Sequence, residues 1–119
     1  MTTYRDLEVW HYSMKLVEHY YRLTETFPTT ERFGLTAQIR RAAVSIPSNI
    51  AEGSGRGATK VFRHFVSIAL GSHAELETLL AISERLSFGS SEAMPDIQAT
   101  NASVGKMLHR LHQALSRKC

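Results

Sequence analysis

The chain has 119 residues, with 14 Lys and Arg against 11 Asp and Glu for a formal net charge of +3, 43% hydrophobic residues and 21% charged. That length suits one domain with a real core, and the apolar content excludes a disordered chain. The lone cysteine, Cys119, excludes an internal disulfide, and no uninterrupted apolar run approaches the ~18 residues of a membrane span, so a cytoplasmic protein with no membrane role is expected.

Four segments repeat apolar residues with a period near 3.6, and none alternates long enough to make a strand, which predicts an all-α fold. The first helix is expected over residues 6–26, with Asp6 as N-cap and Leu7, Trp10, Met14, Val17, Tyr21 and Thr24 facing the core. Phe27-Pro28 ends it. The second, over 30–53, turns Leu35, Ile39, Ala42, Ala43, Ile46 and Ile50 inward, kinks at Pro47 and is stopped by Gly53. The third and longest, over 58–87, buries Phe62, Phe65, Ile68, Ala69, Ser72, Leu76, Leu79, Leu80 and Leu86. A loop around Phe88 to Pro95 leads to the fourth, over 95–116, with Ile97, Val104, Met107, Leu108, Leu111 and Leu115 on one side. Short connections between helices of similar length predict an antiparallel up-down-up-down four-helix bundle.

The second helix is apolar on more than one side. Opposite its core face lie Ala37, Val44, Pro47 and Ala51, interrupted by Arg40, and a helix with two apolar stripes is buried twice. In a four-helix domain the second cover is expected to be another subunit. Between these faces runs a polar stripe of Gln38, Arg41, Ser45, Asn49 and Glu52. Across the Gly53–Gly57 turn a simple register sets Arg41 near Glu75, Ser45 near Ser67 and Gly71, and Glu52 near Lys60 and Arg63, so the stripe reads as structural pairing.

Motifs for chemistry are few. G-S-G-R-G (53–57) follows no strand and lacks the G-K-[ST] ending of a phosphate loop, so it reads as a helix stop and a tight turn. Arg56, Lys60 and Arg63 nevertheless make a basic cluster there, beside backbone amides that can help hold a phosphate. Glu8-x-x-His11 has the spacing of a di-iron ligand pair, but no second Glu-x-x-His completes such a site. His109 and His112 lack the cysteine or carboxylate that would complete a zinc set, and no nucleophile elbow surrounds any serine. No catalytic residue, metal or cofactor is expected. Trp10, Tyr20 and Tyr21 can stack on bases, yet at helical spacing beside Met14 and Val17 they read as core or interface.

Three runs carry a resemblance: L-E-V-W from Leu7, F-P-T-T-E-R-F-G-L-T-A-Q-I-R-R-A-A-V-S-I-P-S-N-I-A-E-G-S-G-R-G from Phe27, and F-V-S-I-A-L-G-S-H-A-E-L-E-T-L-L from Phe65. They resemble the bacterial four-helix-bundle family named for open reading frames in intervening sequences of 23S ribosomal RNA genes, sometimes labelled a ribosomal protein. The likeness covers about Leu7 to Leu86, and the fourth helix by pattern. It implies a short antiparallel bundle assembled as a homopentameric ring. For related accessory proteins of diversity-generating retroelements it also implies binding to nucleic acid and a reverse transcriptase through basic surface, and this chain departs from that strongly basic type in its modest +3. The expected function is a non-enzymatic oligomeric scaffold that binds RNA or DNA with low sequence specificity, using Arg40, Arg56, Lys60, Arg63, Arg110, Arg117 and Lys118 as phosphate contacts. The competing expectation is a structural or protein-interaction module.

Overall fold

The computed structural model describes residues 3–119. It holds four long helices, α1 (Glu8–Glu25), α2 (Leu35–Gly55), α3 (Thr59–Arg85) and α4 (Met94–Arg117), with 3₁₀ turns at Tyr4–Asp6 and Thr29–Glu31 and no strand among the described residues.

The helix ends differ from expectation for local reasons. Asp6 does not cap α1. It closes a capping box with Thr3 around the first 3₁₀ turn, its carboxylate accepting from the Thr3 N–H at 2.8 Å, so α1 starts after the extended Leu7. Pro28 leads into the second 3₁₀ turn, and the Glu31 carboxylate accepts from the Leu35 N–H at 3.2 Å, which starts α2 at Leu35 rather than residue 30. α2 continues through Pro47 and past Gly53 to Gly55. Gly53 is buried inside the helix because a Cβ there would lie 2.6 Å from the Phe65 Cβ. The chain reverses instead at Gly57, whose φ of +78° an L side chain rarely adopts. At the far end of α3, Ser87 (φ 58°) takes the left-handed position, with Phe88 N–H donating to Ser83 O and Ser87 N–H to Glu84 O, the pair of bonds of a Schellman motif.

The core is contributed by all four helices, and α2 and α3 make the most extensive pairing. The expected inner faces hold for α2, where Leu35, Ile39, Ala42, Ala43, Ile46 and Ile50 are all buried. On α4, Ile97, Val104, Leu108 and Leu115 are buried, with Met107 and Leu111 packed against them. The face of α1 does not hold. Val9, Ser13, Leu16, Tyr20, Leu23 and Thr24 face inward, while Met14 and Tyr21 are exposed and Leu7, Trp10 and Val17 half-buried. Both stripes fit a 3.6 period. Ser13 sits inside the true one and is tolerated there because it is small and its hydroxyl donates to the Trp10 carbonyl at 2.8 Å. On α3, Ile68 and Leu86 are exposed against expectation, and Val66, His73 and Ser83 are buried in their place.

Candidate functional site

The seven expected phosphate contacts fall into two groups. Arg40 is tied to α1: its Nε donates to Thr24 Oγ1 at 2.9 Å, its NH2 group to the Tyr21 carbonyl at 3.3 Å, and its guanidinium lies 4.4 Å from the centre of the Tyr21 ring. It clamps α1 to α2 and stands apart from the other cations. Those others converge. Ser67 on α3 meets His112 on α4 at 3.1 Å, and two turns further along α3 His73 meets the carbonyl of Asn101 at 2.7 Å. The contact thus moves back along α4 as α3 advances, which sets the first turns of α3 beside the last turns of α4. Lys60 and Arg63 from α3 therefore share one end of the bundle with Arg117 and Lys118, while Arg110 lies two turns below on α4.

The same end holds Arg56 and Arg5. Arg56 is partly neutralised by Glu52 at 2.7 Å and lies 5.3 Å over the Phe65 ring, so it is braced rather than free. Arg5 is outside the expected set, yet its guanidinium rests 5.5 and 5.7 Å from the Tyr4 and Trp10 rings, which line one groove with Ala51 near the end of α2. Its placement depends on the first turn folding back on α2, which no local sequence signal carries.

The polar stripe of α2 pairs differently from its expected register. The Ser45 hydroxyl meets that of Ser72 at 2.7 Å rather than Ser67 or Gly71, and Asn49 Nδ2 donates to the Ser45 carbonyl and hydroxyl at 2.8 and 3.0 Å. Glu52 pairs within its own helix, with Arg56, and not with Lys60 or Arg63. The expected Arg41–Glu75 ion pair does not form: among the described residues the close charge pairs are Arg56–Glu52 and His73–Glu77. Gln38 is exposed. The α2–α3 register is thus set by a hydroxyl pair and by the close approach at Gly53, not by ions.

The second apolar stripe of α2 borders a groove of about 300 Å³ between α1 and α2, where Val44, Pro47 and Ala51 face Trp10, Met14 and Val17. Pro47 is buried within the chain itself and Ala37 and Ala51 are half-buried, so α1 supplies part of the cover expected from another subunit. Met14 and Val44 remain 41% and 39% exposed at the groove.

One polar cluster lies wholly inside. Asn101 donates from Nδ2 to the Tyr20 hydroxyl, and His73 Nε2 donates to the Asn101 carbonyl, which joins α1, α3 and α4. Gly105 gives the imidazole room, since a Cβ there would stand 2.7 Å from its Cε1. Burial, and then the charges of Glu77 and Glu84, push the Tyr20 hydroxyl well above its ordinary value near 10, outweighing the Asn101 hydrogen bond. A polar pattern at period 3.6 reads as surface, so nothing in the sequence alone marks these three as partners.

No curated protein matches the chain in sequence. The model of the 23S rRNA-intervening sequence protein family matches residues 5–110, running from Arg5 through all three runs quoted above and most of α4, and the chain belongs to that family.

Proposed function

We propose that the protein is a non-enzymatic, cytoplasmic, homo-oligomeric scaffold of antiparallel up-down-up-down bundles that binds RNA or another nucleic acid weakly through one basic end of each bundle. The convergence of Lys60, Arg63, Arg117 and Lys118, with Arg5 and Arg56 beside them, carries this reading. Phosphate contacts supply affinity without sequence information, so a cluster of flexible cations suits low specificity. The charge per chain is small, and a ring of several copies raises the net affinity through multivalency. A pentameric ring is the assembly that the family resemblance implies.

The test is retention of structured RNA by the purified protein across a salt series. Binding is expected near ~50 mM salt and declines steeply with added salt, because the counterions that the protein displaces from the phosphates gain less entropy the more salt the solution already holds. Absence of binding at that low salt would leave the competing reading, a structural or protein-interaction module. The observation that favours that alternative is the apolar groove between α1 and α2, which offers surface to a protein rather than to phosphates.

A further inference from the structure

The chain leaves two apolar surfaces uncovered, and they differ in shape. One is the concave groove between α1 and α2, with Met14 and Val44 at its mouth. The other is a convex ridge on α3, where Val61, Ile68, Ile82 and Leu86 are 36%, 39%, 40% and 54% exposed. Val61, Ile68 and Ile82 recur at multiples of seven residues and so share one face, with Glu75 at the interval between the isoleucines. The core side of the same helix is already supplied by Val66, Ala69, Leu76 and Leu80. This double apolarity makes α3, by length and composition, the one described helix that could pass for a membrane span.

We infer that the α3 ridge of one copy seats in the α1/α2 groove of the next, a heterologous contact between copies of this chain. The inference rests on the self-association proposed above and names the two faces that meet. Shape argues for it first. A concave groove set against another groove leaves voids, whereas a row of branched side chains can fill one. Coverage argues the same way: groove-to-groove pairing leaves every ridge bare, while ridge-in-groove contact buries one of each per junction and a closed ring leaves neither exposed. Charge is the third argument. Arg41 lies on α2 one turn before Val44, and Glu75 stands within the ridge; both are exposed and neither has an opposite charge within 4.0 Å among the described residues. The contact offers each a partner in the neighbouring copy.

Two variants at exposed positions test this, Val44→Asp in the groove and Ile68→Asp on the ridge, with circular dichroism to verify that each stays helical. Light scattering should find each variant alone reduced to the 13.4 kDa single chain, because neither population has both an intact groove and an intact ridge. Mixed in equal amounts, they should form a particle of one copy of each and grow no further. If either variant keeps the wild-type mass, its face is outside the contact and the inference fails. Two monomeric variants that do not pair when mixed would show that ridge and groove take different partners, which also overturns it. A monomeric wild type would instead remove the assembly reading itself.

Discussion

Gly53 and Ser87 show opposite misfits between side chain and place. Gly53→Ala would drive a Cβ into Phe65 at 2.6 Å in the most extensive helix pairing, backbone-near atoms that have little room to move. We expect a loss of about 1–3 kcal/mol, read as a lower midpoint in chemical denaturation. Ser87 holds a left-handed conformation that costs an L residue roughly 1–2 kcal/mol, part of which glycine returns through its freer unfolded chain. Ser87→Gly should therefore raise the same midpoint by less than about 1 kcal/mol. Arg40 belongs at this scale too. Sequence shows a cation breaking an apolar stripe, but that its fork would find Thr24 and the Tyr21 carbonyl depends on α1 lying alongside.

Among elements, α1 is the instructive one. It carries two apolar stripes, Val9-Leu16-Tyr20-Leu23 and Trp10-Met14-Val17-Tyr21, and periodicity alone cannot choose between them. The core takes the stripe that contains Ser13, and from it Tyr20 reaches Asn101 on α4. That link makes a pH prediction. The buried hydroxyl ionises well above its unfolded value near 10, so the folded chain keeps a proton the unfolded chain gives up, and stability falls as pH rises above about 10. Below that pH the contribution is fully present. Tyr20→Phe removes this part of the alkaline slope and lowers stability near neutrality by about 1–3 kcal/mol, because the Asn101 amide loses its partner. Denaturation midpoints of the two proteins from pH 8 to about 11.5 compare them, and equal alkaline slopes would refute the assignment.

At the scale of the whole molecule, charge is sorted along a body 44 Å long and 25 × 22 Å across. Arg5, Arg56, Lys60, Arg63, Arg117 and Lys118 stand at one end with Asp6, Glu8 and Glu52; the other carries Glu25, Glu31, Glu84, Glu92 and Asp96 together with Arg22, Arg32, Arg40 and Arg85. The ends are several Debye lengths apart at physiological salt, where that length is about 8 Å, so the carboxylates at the far end do not screen the basic one. The positive excess of the chain is thus concentrated at the end that a polyanion would meet. Lys60→Glu with Arg117→Glu should reduce RNA retention at least tenfold at low salt and flatten its salt dependence. Arg32→Glu with Arg85→Glu, of identical net charge but placed at the other end, should change it little. Equal losses from the two pairs would mean that overall charge, and not the basic end, governs binding.

The existence of four helices, the core faces of α2 and α4, and the turn near Gly57 were legible in the amino-acid sequence, because each follows from a repeat or a conformational preference within one or two turns of chain. Family membership was legible as well, in the long run from Phe27 to Gly57. Which stripe of α1 turns inward, which hydroxyl Ser45 meets, where Arg40 is held and which cations share an end were decided only by tertiary structure. Each depends on what packs opposite from a distant part of the chain, and a 3.6-residue period records that a face is apolar without recording the face that covers it.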